Sequence, residues 1–204
     1  SFCMCPGGQI VPTPTEAGGV VVNGMSHSAR SGRFANSALV VTIDPKDFPT
    51  GDVLGGVALQ RTAEQRAGAM GGGLFCAPAQ TVTSWMSGTV DSALRKSSYT
   101  PGVVPADLRS CYPQFVTQAL TGALSRWARK MPAFVSEQAM LVGVETRTSA
   151  PVRVVRDDRA LQSPTLPGLH PCGEGAGYGG GIVSAAVDGL KVADAILDHL
   201  GATV

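Results

Sequence analysis

GLHPCGEGAGYGGGIVSAAVDGLKVADAILDHL, residues 168–200, is the stretch whose reading decides the fold of this 204-residue chain. A short apolar run, Leu169–Cys172, reads as a buried strand, and Gly173-Glu174 leads into a glycine-dense turn, Gly175–Gly181. Beyond the turn, Ile182, Ala186, Leu190, Ala193, Ile196/Leu197 and Leu200 recur at helical spacing on one face. Ser184, Asp188, Lys191 and Asp198 fall on the other face, and Gly201 supplies a stop. A strand running through glycines into a helix start makes an anion site. Free N–H groups and the positive end of the helix dipole face one side, and no side chain blocks approach. Gly175, Gly177 and Gly180 spell G-x-G-x-x-G, but that fingerprint belongs to a βαβ unit with an acidic residue about 20 positions further on. Here a helix runs to Leu200 and the sequence stops at Val204. The turn is therefore either a tight strand-to-helix packing turn or a ligand site, and its density of glycines exceeds what packing requires.

Upstream of this stretch, Met140–Thr146 and Val152–Arg156 have strand character, with a turn at Asp157-Asp158. From Pro49 to Pro132 the period is helical. Leu54, Val57/Ala58, Ala67 and Met70 predict one helix, ended by Gly71-Gly72-Gly73. Phe115/Val116, Ala119/Leu120, Ala123/Leu124 and Trp127 predict a clearer one between Pro113 and Pro132. Ala77–Tyr112 reads as irregular. Residues 1–48 read as β: Phe2–Cys5, Gln9–Val11 and Val20–Asn23 form a meander broken at Pro6-Gly7-Gly8, and Ala38–Ile43 is a further strand.

Composition narrows the class. An apolar fraction of 44% with 15% charged residues fits a globular protein. A net charge of +1 gives no reason to expect nucleic acid or an anionic membrane as partner. There is no apolar run of about 18 residues and no signal-peptide pattern. Five cysteines, an odd number, point to reduced thiols and a cytoplasmic location.

Four stretches carry a resemblance to a known family: PGLHPCGEGAGYGGGIVSAAVDGLKVA (167–193), SFCMCPGGQIV (1–11), RFANSALVV (33–41) and GVETRTSAPVRVVRD (143–157). Together they resemble the carboxy-terminal part of bacterial FAD-dependent dehydrogenases, the group called NAD(FAD)-utilizing. The resemblance implies a cofactor-binding set of Gly173, Glu174, Gly175, Gly177, Tyr178, Gly179, Gly180, Gly181 and Ile182. Within it, Glu174 would meet the ribityl chain, and the amides near Gly180, Gly181 and Ile182 the flavin pyrimidine edge. Reduced flavin carries negative charge at N1–C2=O, which such donors and a helix dipole stabilise. Enzymes of this type open with a true dinucleotide fold for the ADP half of FAD, and nothing before Gly175 matches it. The chain is accordingly expected to be the carboxy-terminal part of a longer oxidoreductase. It would lack the amino-terminal FAD-binding half, bind FAD weakly or not at all alone, and be inactive alone while the parent acts on a small-molecule substrate.

The remaining constellations stay open between two readings. Cys3 and Cys5 in a strand would share a face about 6.5–7 Å apart, too far for easy disulfide geometry. They are either small buried apolar residues or a thiol pair facing the flavin. Cys3, Cys5, His170 and Cys172 match no familiar zinc spacing, so no metal site is expected. His27, Arg30, Arg33 and Asn36 form a polar loop, either solvated or facing substrate. Strand alternation would put Glu145, Arg147 and Ser149 on one face, as a salt-bridged surface or a substrate-anion site. Catalytic candidates are His27, Arg147, Cys3 and Cys5. His199 reads as a surface group at a helix C-terminus.

The expected fold is α+β, a piece of a two-dinucleotide-fold flavoprotein. Residues 1–48 and 133–163 would form a β-rich substrate-domain layer, continuous in space. Residues 49–132 would be a helical insertion, and residues 164–204 the terminal strand, glycine turn and helix of the FAD domain. The rival reading is a non-catalytic module whose glycine turn holds an anionic ligand or a partner. A further rival is a thiol redox protein using Cys3 and Cys5.

Overall fold

The computed structural model describes residues 1–14, 16–48 and 51–201; the expected domain boundary at Pro49 and the chain end at Val204 lie outside the described residues. The described residues form an α+β structure with two three-stranded sheets and four α-helices. Two compact units result: Ser1–Asp47 with Leu59–Thr146, and Phe48–Ala58 with Arg147–Val204.

In the first unit, β1 (Phe2–Pro12) is the middle strand of an antiparallel sheet, flanked by β2 (Val22–Met25) and β3 (Phe34–Ala38). The sequence predicts a break at Pro6-Gly7-Gly8, but the strand continues through it. Gly7 takes φ +57°, and the β1–β3 register shifts between Cys5 and Gly8. A bulge thus absorbs a proline that cannot donate to a ladder. The expected strand Ala38–Ile43 is displaced to β3, because β1 begins at Phe2 opposite Ala38 and offers residues beyond it nothing to pair with.

The second sheet has the order β5-β4-β6, from β5 (Val103–Pro105), β4 (Ala77–Thr81) and β6 (Met140–Val142). β4 runs parallel to β5 and antiparallel to β6. β6 therefore completes a separate sheet rather than extending the first, which corrects the expectation of one continuous β layer. The region read as irregular supplies the central strand. Its sequence, APAQT, lacks the β-branched signal, yet Ala77, Ala79 and Gln80 are wholly buried. Small residues fit a strand covered on both faces. Gln80 is satisfied there: its Oε1 accepts from Leu108 N at 2.8 Å and its Nε2 donates to Thr89 O at 3.2 Å.

The helices follow the sequence more closely. α1 (Gly55–Gly71) ends at the glycine run, and α3 (Gln114–Lys130) lies between Pro113 and Pro132, as expected. The short α2 (Val82–Ser87) was hidden by its length. Thr81 Oγ1 caps it by accepting from Ser84 N at 3.1 Å, and Gly88 closes it at φ +75°. The core gathers Val22, Ala67, Val82, Trp85, Leu108 and Leu124. Trp85 Nε1 finds Thr121 Oγ1 at 2.9 Å, as a buried indole requires. The buried Glu64 accepts from Thr146 Oγ1 at 2.6 Å.

In the second unit, α4 (Ile182–Leu200) stops at Gly201, φ +66°, as predicted. Two strands expected here do not form. Residues 169–172 and 152–156 are irregular. In the latter, Val154 N donates to Ala176 O at 3.1 Å and Val154 O accepts from Tyr178 Oη at 2.9 Å, so its polar groups bond to the glycine turn rather than to a ladder. The buried positions of α4 also differ from those expected. Asp188 and Val192 are buried, while Ile182, Val183, Val187, Leu190 and Leu200 are exposed. Arg156 accounts for the burial of Asp188, whose carboxylate its guanidinium binds bidentately at 2.6 and 3.0 Å, while Ser184, Lys191 and Asp198 stay exposed.

Candidate functional site

The glycine turn is built around that ion pair. Asp188 Oδ2 also accepts from Gly173 N at 2.9 Å, and Arg156 Nη1 donates to Pro171 O at 2.7 Å. Hydrogen bonding from Arg156 holds the Asp188 carboxyl below its ordinary value and raises the guanidinium further. The Arg156 guanidinium lies 3.6 Å from the Tyr178 ring centroid, and that of Arg153 lies 5.0 Å away. Within the turn, Tyr178 N donates to Gly173 O and Gly177 N to Glu174 O, both at 2.9 Å.

Packing explains some of the glycines and not others. Gly177 has φ +84°, and a Cβ there would sit 2.6 Å from Val152 O. A Cβ on Gly179 would sit 2.9 Å from Ala185 N. Gly175 and Gly180 have neither a positive φ nor any atom within 4 Å of a would-be Cβ. The space over them is open, beside the amino end of α4. Gly181 occupies the N-cap of that helix without a side-chain bond, so the first amides of α4 have no intrahelical acceptor. The half-buried Glu174 carboxylate has no partner among the described residues. Open glycines, unspent amides and a carboxylate together can accept a ligand that carries both hydroxyls and an electron-rich edge.

The first unit holds a cavity of about 1160 Å³. Trp85, Leu108, Leu120, Leu124 and Phe134 contribute apolar wall, and Asn36, Tyr112 and Glu145 contribute polar groups. Asn36 lies on β3 opposite Cys5, and its Oδ1 rests against Gly24. Its Nδ2 is buried with no hydrogen-bond partner, the one such side-chain atom among the described residues. Burial pushes the Glu145 carboxyl above its ordinary value and the Tyr112 hydroxyl well above its own.

The catalytic candidates scatter. His27 is exposed in the loop before β3. Cys3 is exposed at φ +52° while Cys5 is buried against the cavity, because the register shift after Phe2 breaks the alternation that would have put them on one face. Arg147 is exposed and belongs to the second unit, whereas Glu145 belongs to the first. The strand that was to align them ends at Val142. None of the five cysteines forms a disulfide, and no cluster of three metal-ligating side chains occurs among the described residues. No described helix is long and apolar enough to cross a membrane. Asn36 was singled out in the sequence as part of a polar loop, but its unsatisfied amide needed coordinates. Tyr112 carried no sequence signal.

Comparison with known proteins gives this α+β chain its family. It belongs to the FAD-dependent protein, C-terminal domain-like family, whose match covers residues 1–148. The match therefore takes in the first unit and stops before the glycine turn. An uncharacterized protein of Clostridium beijerinckii is 46% identical over 200 residues, 97% of this chain and 37% of that protein. The chain thus spans little more than a third of that relative's length.

Proposed function

We propose that the chain serves as the flavin-contacting and substrate-covering portion of an FAD-dependent oxidoreductase, completed by an amino-terminal FAD-binding region. The observation that carries this reading is the open ground over Gly175 and Gly180 at the uncapped amino end of α4, which packing within the unit does not require. Family membership and the motifs from Pro167 to Ala193 agree with it. FAD, when bound, supplies the two-electron redox chemistry. Gly173, Glu174, Gly175, Gly177, Tyr178, Gly179, Gly180, Gly181 and Ile182 would hold it. In that role the Glu174 carboxylate accepts from ribityl hydroxyls, and the amides at Gly180–Ile182 donate to the electron-rich edge of the ring. The Arg156–Asp188 pair positions the turn by fixing Gly173. The exposed strip Ile182, Val183, Val187 and Leu190 suits burial against the remainder of the longer protein.

The test is flavin retention by the full-length protein through gel filtration. Gly180→Val, which fills open space without clashing within this unit, should release flavin while leaving the fold unchanged. Glu174→Ala should weaken retention. Full occupancy in both variants would remove the glycine turn from the flavin site.

A further inference from the structure

Past Ala38 the backbone keeps the character of a strand without a partner. The run Ala38-Leu39-Val40-Val41-Thr42-Ile43 is dense in β-branched residues, yet β3 ends at Ala38. Burial along the run alternates with a period of two: Leu39, Val41 and Ile43 are partly buried, and Val40 and Thr42 are exposed. Leu39 packs against the core, while Val40 is 43% exposed. Among the described residues, no backbone group of Val40–Ile43 makes a hydrogen bond. The run closes at Asp44, whose carbonyl accepts from Asp47 N at 2.8 Å. The missing partner has a defined place. β1 pairs antiparallel with β3, with Phe2 opposite Ala38, so Ser1 falls opposite Leu39 and the residue before Ser1 opposite Val40. Chain preceding Ser1 is implied by the family, a carboxy-terminal type of domain matched from residue 1, and most of the matched relative's length lies outside the match.

We propose that the four residues directly before Ser1 in the longer protein continue β1 and pair antiparallel with Val40–Ile43, extending β3 to the end of its apolar run. The amino-terminal region then enters the first unit as part of a strand of its sheet, not through a free linker. Strand addition of this kind satisfies main-chain donors and acceptors along an open edge. The covalent link to Ser1 presents the partner at high effective concentration, which favours it over a second copy of the chain. The proposal rests on the amino-terminal region of the reading above, but not on flavin.

The experiment is hydrogen exchange of the full-length protein, resolved to single amides, followed by a cross-link. Alternate amides within Val40–Ile43 should exchange at least ~100-fold more slowly than unstructured ones, because every second residue of an antiparallel edge bonds to the neighbouring strand. Cysteines placed at the residue immediately before Ser1 and at Val40 (Val40→Cys) should then form an intramolecular disulfide under mild oxidation, since directly opposed Cβ atoms lie about 4.5–5.5 Å apart. Val40→Cys alone should form none, which excludes capture by the nearby native thiols. Exchange at the unstructured rate throughout Val40–Ile43 would overturn the proposal. So would a double variant that forms no disulfide, or one that links only two molecules and so makes a second copy the occupant. Gly180→Val, which on the flavin reading releases the cofactor, should leave both results unchanged, so the two readings fail separately.

Discussion

Asp188→Asn tests how the second unit is held together. The substitution keeps the shape of the side chain and one acceptor oxygen but removes the charge. Asp188 takes two hydrogen bonds from Arg156, at 2.6 and 3.0 Å, and one from Gly173 N at 2.9 Å, with its side chain only 11% exposed. Breaking a buried ion pair by removing one partner costs about 3–5 kcal/mol. Asparagine retains part of the bonding, and Arg156 keeps the Pro171 carbonyl and the Tyr178 ring. The expected loss is therefore about 2 kcal/mol, or roughly a 30-fold change in a local opening equilibrium. Both tryptophans, Trp85 and Trp127, lie in the first unit, so their fluorescence is a poor reporter. Hydrogen exchange read by mass spectrometry on peptides from α4 and residues 147–181 is the suitable assay. Protection there should fall about 30-fold, with peptides of the first unit and an Asp194→Asn control unchanged. Protection within about threefold of the parent would refute the reasoning. The pH dependence has a fixed sign. Arg156 holds Asp188 below its ordinary value of 3.8, so the pair's contribution is present above that pH. It is lost as pH falls through the lower native value, and α4 protection should be flat down to about pH 4 and decline below it.

Three further outcomes concern helix packing, a hydrogen-bonded carboxylate and the thiols. Gly122→Ala in α3, where a Cβ meets nothing within 4 Å, should stabilise the chain by about 0.5–1 kcal/mol, whereas Gly68→Ala in α1, whose Cβ would collide with the Gly18 carbonyl, should destabilise it; urea unfolding followed by tryptophan emission separates them. Asp91 resists ionisation through burial, but hydrogen bonds from Thr81 N, Ser84 Oγ and Thr81 Oγ1 outweigh this and lower its pKa, so Asp91→Ala should cost about 1–2 kcal/mol at neutral pH by the same assay. Burial raises the Cys111 thiol to about 11, so iodoacetamide at pH 8 should modify the exposed Cys3 and Cys172 first and reach Cys111 only after denaturation; early labelling of Cys111 would contradict its placement.

Much of the helical architecture was legible because helices announce themselves locally. α1, α3 and α4 each carry a sustained apolar period bounded by glycine or proline, and their ends fall where those residues stand. The strands were harder, because pairing depends on distant partners. β3 stops at Ala38 because β1 starts at Phe2, and β4 is central although APAQT has no β signal. Val152–Arg156 has that signal and forms no strand, since its backbone bonds to the glycine turn. The inward face of α4 was misread for a related reason: Asp188 reads as a surface residue until Arg156, 32 positions earlier, is placed beside it. Of the candidate sites, the glycine turn was visible as a motif. The cavity was not, because it depends on Asn36, Tyr112 and Glu145 coming together from three separate segments.

Whether this chain works with flavin is tested most directly by the visible absorption spectrum of the protein purified from its complete reading frame. The expected result is a flavin band that bleaches with a reductant and is lost from the Gly180→Val protein. A full-length protein that is colourless, and stays colourless after FAD is added and the excess removed, would contradict it.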